Sequence, residues 1–411
     1  MFPRTRVSKP APNGAAAILA AVNVLVYVSD ALRADHLGCY GAQRVATPTL
    51  DALAARGLRF ERAFSAAPWT APSMASMVTG LAPYRHAYLA WQQDVDPSLV
   101  SVFDRFVEGG YDVASFVFDE SFLFRGLRNA NVRGETDTLD GVAAFLRERR
   151  DRPFFLFVHS WATHMPRGLR HAETKEWREA KLAFLAKIQG GRAMDVESCR
   201  EEYRAGVEYA SEVLVASVLE ELDSLRLRDS TALLFVSDHG ESWGERFEDP
   251  SEVKGIYHLH GATLYDEILH VPLILAVPGL APGSVGSQVS TLDIAPTLLE
   301  LAGLPALVGD GRSLLDPDPD RAVFAATSDR GVLSQVGVRR PDWKLIRHLA
   351  DEREEAYRLD VDPRERVDRA ADAPGDLRAV LGRELDDVER RELTPEEEAI
   401  VVARLEELGY L

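Results

Sequence analysis

The chain has 411 residues and a formal net charge of -18, because 65 aspartate and glutamate side chains outnumber 47 lysines and arginines. This length is sufficient for one large domain and a smaller one. The acidic balance offers no basic surplus for a phosphate backbone, so we expect no nucleic acid partner. Two cysteines, Cys39 and Cys199, are too few for a disulfide framework or a zinc cluster.

The N-terminal segment combines basic residues with an apolar run at residues 15–28. This pattern resembles a signal peptide, but the run is too short to span a membrane and continues directly into Ser29 and Asp30. We therefore expect a core strand, no stable membrane span and a cytoplasmic protein. A true start further upstream would leave a periplasmic or membrane-associated location open.

Apolar runs alternate with helical patterns along most of the chain. Five runs predict strands, at residues 22–28, 113–118, 153–158, 232–236 and 272–277. The clearest helical pattern between them is the apolar stripe of residues 202–225. Alternation of this kind predicts an α/β fold, with a large, mostly parallel sheet flanked by helices.

Beyond about residue 317 the pattern changes to short strands and turns. Runs at 322–326, 331–338 and 343–348 predict a small antiparallel sheet, and charged helical patterns follow from about residue 374. A stretch rich in proline and aspartate marks the boundary. We therefore predict a large domain at 1–316 and a small C-terminal α+β subdomain with a charged helical tail at 317–411.

The segment from Ala67 to Gly80 predicts a loop that leads into a short helix. Pro72 suits the first turn of a helix, and Gly80 suits its C-terminal cap. Thr70 then lies just before the helix, where N–H groups and the dipole favour an anion. A threonine here is either an N-cap residue, which is its commoner role, or a nucleophile that attacks a phosphate or sulfate ester.

Metal-competent side chains follow three of the predicted strands. Asp30 follows the first strand, the third continues from His159 to His164, and Asp238 and His239 follow the fourth. Ligands of doubly wound sheets gather outside the carboxyl ends of the strands. Two of these strand ends and the helix that begins near Thr70 can therefore converge on one cation.

The predicted donors are Asp30, Asp238, His239 and the hydroxyl of Thr70. Three oxygens and one imidazole favour Mn²⁺, Zn²⁺ or Fe²⁺ and leave Ca²⁺ or Mg²⁺ open. The chemical need is clear, because a threonine hydroxyl is a weak nucleophile at neutral pH. A divalent ion lowers the pKa of that hydroxyl and polarises the ester oxygen.

These segments together resemble the sulfatase family of the alkaline-phosphatase superfamily. Similar stretches follow the family order at 23–41, 47–54, 70–80, 159–166, 237–241, 260–267, 271–274, 293–297, 343–346 and 357–363. The resemblance implies a catalytic domain at 1–316 with the four predicted donors at the metal. It also implies that His164 and His260 contact the substrate or protonate the leaving group, and that Ser73 helps to bind the substrate.

The chain departs from the family pattern at several positions. Sulfatases carry cysteine or serine where this chain has Thr70 and oxidise it to formylglycine, which threonine cannot form by that route. Met74 replaces an arginine, Ala31 replaces the second aspartate of the first metal pair, and His260 replaces a lysine. Acidic residues at 119–120 stand where basic ones are usual. A threonine with an Asp–His pair is similar to phosphate-handling relatives, namely nucleotide phosphodiesterases and phosphoglycerol or phosphoethanolamine transferases.

Three functions are therefore open. The first is metal-dependent hydrolysis of phosphate or sulfate esters through Thr70, with phosphodiesters and phosphonate esters favoured, or transfer of the group to an alcohol. The second is a sulfatase proper, which Thr70 opposes. The third is a catalytically inactive binding member, which Ala31, Met74 and the acidic pair at 119–120 motivate. We expect a small-molecule, glycan-linked or lipid-linked phosphate or sulfate ester as the substrate.

Overall fold

The computed structural model describes residues 22–90, 98–117, 128–131, 135–149, 153–164, 196–244, 246, 260–329 and 331–386. The acidic pair at 119–120 and most of the charged C-terminal tail lie outside the described residues. Among the residues described, no helix has both the length and the apolar character needed to cross a membrane.

Within the described residues, a nine-stranded sheet forms the centre of the fold. Its strands are β1 (Asn23–Ser29), β2 (Leu58–Phe64), β3 (Asp112–Val117), β4 (Arg128–Asn131), β5 (Phe154–Ser160), β6 (Thr231–Ser237), β7 (His270–Val271), β8 (Leu273–Ala276) and β9 (Gly283–Ser290). The order is β4-β3-β5-β1-β6-β8-β2-β7, with β9 also paired to β2. The first five strands of this order are mutually parallel, whereas β8 is antiparallel to both of its neighbours. The predicted α/β fold with a mostly parallel sheet is confirmed.

Helices cover both faces of this sheet, and the last helix of the described residues packs on a second, smaller sheet. They are α1 (Pro48–Arg56), α2 (Thr70–Thr79), α3 (Pro83–His86), α4 (Val102–Glu108), α5 (Glu135–Arg149), α6 (Val196–Tyr209), α7 (Ala216–Ser224), α8 (Asp266–Leu269), α9 (Ile294–Ala302) and α10 (Gly375–Asp386). A π-helical segment, Ala210–Val215, joins α6 to α7, and short 3-10 turns occupy Ala34–His36, Gly38–Tyr40, Arg228–Ser230, Thr291–Asp293 and Ala370–Asp372. The predicted helical pattern at 202–225 is therefore present, with a π-helical interruption.

Strand β1 explains why both faces of the sheet need helices. Val24, Val26 and Val28 pack into a cluster with α2, α4 and α9. The alternate residues Leu25 and Tyr27 pack into a second cluster with α1, α5, α6 and α7. A strand buried on both faces reads as a continuous apolar run, which is the pattern that predicted it.

A second, antiparallel sheet follows in the chain. It consists of β10 (Val323–Asp329), β11 (Val332–Arg339), β12 (Trp343–His348) and β13 (Glu354–Arg358). One face packs on Leu377 and Leu381 of α10, and the other packs on Phe64, Leu264 and Leu269. The predicted small antiparallel sheet is confirmed, and the domain boundary at 316–317 stays a prediction.

Candidate active site

The carboxyl ends of three neighbouring strands meet at one edge of the large sheet. In the parallel register, Ser29 of β1 lies beside Ser160 of β5 and Ser237 of β6. Asp30 and Asp238 each follow one of these serines. His159 is the last residue but one of β5 and lies beside Val28. The sheet therefore delivers both carboxylates and this imidazole to the same place, as expected for parallel strands.

The turn after β1 is held by specific hydrogen bonds. Ala31 has a φ of 54°, a left-handed conformation that is unusual for alanine. Its N–H donates to Oδ1 of Asp238 at 3.1 Å. The hydroxyl of Tyr203 donates to the Ala31 carbonyl at 2.7 Å and accepts from the Arg33 N–H at 2.8 Å. These bonds fix the backbone that carries Asp30.

Buried carboxylate oxygens converge at this edge. Asp30 and Asp238 are 1% and 0% exposed. Both carboxylate oxygens of Asp30, and Oδ2 of Asp238, have no hydrogen-bond partner among the described residues. Leaving such oxygens unsatisfied in a protein interior is costly unless a cation neutralises them. Asp30, His159 and Asp238 each offer one ligand atom, and these atoms lie within 4.8 Å of one another, so the site fits a metal ion.

His239 faces the same carboxylates. Its Nε2 lies 3.6 Å from Oδ1 of Asp30 and 3.5 Å from Oδ2 of Asp238. Its Nδ1 lies 2.8 Å from the carbonyl oxygen of Gly240. A carbonyl accepts only, so Nδ1 carries the proton and Nε2 presents a lone pair to the carboxylates. This tautomer is the one that a metal ligand needs.

Helix α2 brings Thr70 to the site. It is the first residue of α2, and Trp69, with an extended backbone, occupies the N-cap position. The prediction placed Thr70 one residue earlier, a difference within the usual uncertainty of helix ends. Oγ1 of Thr70 lies 3.3 Å from Nε2 of His239. The hydroxyl is therefore beside the carboxylate cluster and at a helix N-terminus, and it does not cap α2.

Ser73 lies beneath the site. Its hydroxyl is fully buried and donates to the carbonyl oxygen of Asp238 at 2.6 Å. Ser65 lies 3.0 Å away and bonds to the same carbonyl. These contacts tie α2 to the turn after β6, whereas a direct contact of Ser73 with substrate stays a prediction.

Two further histidines line the site. The centroid of the His260 ring lies 4.3 Å from the centroid of the His239 ring and 5.2 Å from that of the His164 ring. His164 also stacks on Trp161 at 5.3 Å. Nδ1 of His260 lies 2.9 Å from Oε1 of Glu241. Burial alone would lower the pKa of His260, but the Glu241 carboxylate outweighs burial and raises it.

The same groups shift the pKa values of the two aspartates. Burial alone would raise the pKa of Asp30, but the charges of His164 and His159 outweigh it and hold that pKa well below its usual range. Burial, together with the charge of Asp30, raises the pKa of Asp238. Two close carboxylates repel each other, and a bound cation would remove that repulsion.

The structure thus brings the predicted site residues together. Sequence analysis named His159 as a strand-end residue but left it out of the predicted donors, and it did not pair Glu241 with His260. The position of His159 beside Asp30 could have been found only by predicting that β1 and β5 are neighbours. The pairing of Glu241 with His260 joins two loops, and no local pattern predicts it.

The fold and this cluster define an α/β protein with a metal-competent site at the carboxyl ends of its central strands. A family model described as Sulfatase matches residues 22–304, more than half of the chain. The chain therefore belongs to the sulfatase family, as the resemblance predicted. Enzymes of this family use a divalent metal ion, and the cluster around Asp30, His159 and Asp238 is the candidate site for one.

Individual relatives are distant. An ulvan-active sulfatase from Formosa agariphila is 26% identical over 332 residues, which cover 76% of this chain and 62% of that protein. The chain thus spans less than two thirds of the length of this relative. The structure of a 2-O GAG sulfatase matches with a TM-score of 0.72 at 20% identity and covers 92% of this chain and 96% of the other. A phosphonate monoester hydrolase from Agrobacterium radiobacter matches with a TM-score of 0.69 at 22% identity and 89% and 94% coverage. These structural matches show a shared fold.

Proposed function

We propose that this chain is a metal-dependent hydrolase of phosphate or sulfate esters that uses Thr70 as its nucleophile. We further propose that it prefers phosphodiesters and phosphonate esters to sulfate esters. The observation that carries the proposal is the position of Thr70, whose Oγ1 lies 3.3 Å from Nε2 of His239 beside two buried aspartates.

The residues around Thr70 suit an anionic ester. N–H groups at the N-terminus of α2 favour the equatorial oxygens of a phosphoryl or sulfuryl group. Asp30, Asp238 and His239 would hold the cation, for which oxygen and imidazole donors favour Mn²⁺, Zn²⁺ or Fe²⁺. When bound, that ion would lower the pKa of the Thr70 hydroxyl and polarise the ester oxygen.

The reaction then consists of two displacements. The Thr70 hydroxyl gives up its proton to solvent, and Oγ1 forms a bond to phosphorus or sulfur while the bond to the ester oxygen breaks. The leaving oxygen takes a proton from His260 or His164. His260 suits this acid role because the Glu241 contact raises its pKa. Water then attacks phosphorus or sulfur and passes a proton to the same histidine, while the bond to Thr70 Oγ1 breaks and Oγ1 regains a proton from solvent. Two in-line displacements retain the configuration at phosphorus.

A threonine nucleophile separates this chemistry from that of formylglycine sulfatases. Formylglycine releases sulfate when a hemiacetal collapses, and a threonine ester has no such route. A phosphonate monoester hydrolase shares this fold, which agrees with a phosphorus ester as the substrate. Together these points support a preference for phosphorus esters.

An assay of three chromogenic esters tests the proposal. With Zn²⁺ or Mn²⁺ present, we expect faster turnover of bis-p-nitrophenyl phosphate and of a p-nitrophenyl phosphonate than of p-nitrophenyl sulfate. Thr70→Ala should lower kcat/KM by at least about 1,000-fold. Thr79→Ala is the matched control, because Thr79 lies in the same helix and bonds only to the Ala75 carbonyl and the Leu81 N–H in the contacts described.

Two results would contradict the proposal. Retention of activity by a folded Thr70→Ala variant would remove Thr70 from the mechanism. Preference for the sulfate ester, together with an aldehyde at residue 70 by mass spectrometry, would restore a sulfatase proper.

A further inference from the structure

The cluster at the carboxyl edge of the sheet contains a second imidazole close to the carboxylates. Nε2 of His159 lies 3.3 Å from Oδ2 of Asp30 and 3.9 Å from Oδ2 of Asp238. We propose that His159 is a ligand of the cation, so that two aspartates and two histidines surround one borderline divalent ion such as Zn²⁺ and the Thr70 hydroxyl is its fifth ligand. This inference rests on the metal centre of the proposed function and extends it by one ligand.

The spacing of the donor atoms supports this assignment. Bonds of about 2.0–2.1 Å to a tetrahedral ion place neighbouring ligand atoms about 3.3–3.4 Å apart. The separations from Nε2 of His239 to the two aspartates are 3.6 and 3.5 Å, close to the 3.3 Å from His159 to Asp30. Ordinary N–H···O hydrogen bonds are shorter, about 2.9–3.0 Å. Nε2 of His159 therefore lies at ligand spacing from Asp30, and its 3.9 Å distance to Asp238 would have to shorten when the ion binds.

Charge and burial also favour two imidazoles. His159 is 3% exposed and His239 is 0% exposed, so neither imidazole is open to bulk water. The formal charges of two carboxylates and two neutral imidazoles cancel the charge of a divalent ion in this buried place. Imidazole ligands suit zinc and its first-row neighbours, whereas Ca²⁺ and Mg²⁺ prefer oxygen ligands.

A different arrangement would make His159 a positioning residue. The indole N–H of Trp161 lies 3.4 Å from Nδ1 of His159. If that long contact persists in the loaded protein, the ring proton is on Nε2, and His159 donates to Asp30 without binding the ion. The two arrangements differ in the number of imidazoles on the metal, which can be measured directly.

X-ray absorption at the zinc edge makes this measurement without any ester present. The full chain is stripped of metal and reloaded with one equivalent of Zn²⁺. We expect two imidazoles in the unaltered chain and one in either His159→Gln or His239→Gln. We also expect His159→Gln to bind Zn²⁺ more than about 100-fold more weakly. This loss exceeds the one typical of a residue that only hydrogen-bonds to a metal ligand. His348→Gln is the matched control, because His348 lies in the small sheet and contacts Glu355.

The spectra also overturn the proposal if it is wrong. One imidazole in the unaltered chain, or equal counts in the unaltered and His159→Gln chains, would make His159 a positioning residue. The first of these results needs no variant, so a misfolded His159→Gln chain leaves the test intact. Two imidazoles without ester turnover would refute the proposed function alone, and turnover with one imidazole would refute this inference alone.

Discussion

At the residue scale, single hydrogen bonds decide which atoms the site presents. The bond from Nδ1 of His239 to Gly240 leaves the lone pair of Nε2 facing the aspartates. The bond from the Ala31 N–H leaves Oδ2 of Asp238 available. A further buried histidine, His86, supports α2 away from the site.

His86 predicts a pH dependence of stability. Its Nδ1 accepts from the Tyr88 N–H at 3.0 Å, its Nε2 lies 3.0 Å from the Ser76 hydroxyl, and burial lowers its pKa from 6.5 to about 3. The unfolded chain therefore binds a proton here below about pH 6.5, whereas the folded chain resists it until about pH 3. The contribution of neutral His86 to the free energy of unfolding is fully present above about pH 6.5. It falls by roughly 1.4 kcal/mol per pH unit as the pH decreases from about 6.5 to about 3.

The variant His86→Gln tests this sign. Glutamine can still accept and donate but does not titrate, so its free energy of unfolding should fall less than that of the unaltered chain between about pH 7 and about pH 5. Denaturant unfolding at several pH values measures both curves. Parallel curves would show that His86 does not resist protonation.

At the element scale, the turn after β6 is packed against α8. The N–H of Gly240 donates to the Ile268 carbonyl at 2.6 Å. A Cβ at residue 240 would lie 2.5 Å from the Glu267 carbonyl oxygen. Only glycine therefore lets the two elements approach while Asp238 and His239 point into the site.

The variant Gly240→Ala should disturb the metal site through this backbone. The turn must shift to admit the methyl group, so we expect Zn²⁺ affinity to fall by about 10-fold or more. Isothermal titration with Zn²⁺ measures the change. Gly382→Ala is the control, because a Cβ there meets nothing within 4 Å and lies in helix α10, so its Zn²⁺ affinity should be unchanged. Equal affinity in all three proteins would exclude this role.

The elements that sequence patterns predict are those with a buried, repetitive pattern. All five predicted strands are present, as β1, β3, β5, β6 and β8. Strand β2 carries Arg59, Glu61 and Arg62, and β9 contains glycine, serine and glutamine, so neither shows an apolar run. These two strands are held in the sheet by pairing with each other, which no pattern of apolar side chains indicates. In the site, Asp30 and Asp238 directly follow predicted strands and Thr70 lies at the start of a predicted helix, whereas the His159 contact depends on strand order.

At the scale of the whole molecule, the small sheet holds the segment that carries His260. Gln335 of β11 donates to the Ala262 carbonyl at 2.9 Å. Lys344 of β12 is 1% exposed and lies 2.7 Å from Oδ1 of Asp266 and 2.7 Å from Oε1 of Glu365. Burial raises the pKa of Glu365 to about 7, although the Lys344 charge opposes this.

Lys344→Met should therefore destabilise the fold. The change removes the cation from the fully buried carboxylate of Glu365, and breaking a buried pair costs about 3–5 kcal/mol. Asp266 is partly exposed and keeps its ion pair with Arg339. Chemical denaturation measures the free energy of unfolding. Arg358→Met is the control, since Arg358 and Asp360 form an exposed pair, and it should leave stability unchanged. An equal, small effect of both substitutions would show that the Lys344 cluster does not stabilise the packing of the two sheets.

The most direct test of the account is the location of the ion itself. Anomalous diffraction from crystals loaded with Zn²⁺ would show one peak about 2.0–2.2 Å from Thr70 Oγ1, from Nε2 of His159 and of His239, and from one oxygen each of Asp30 and Asp238. A loaded crystal in which the hydroxyl of residue 70 lies far from every anomalous peak would contradict a metal-activated threonine.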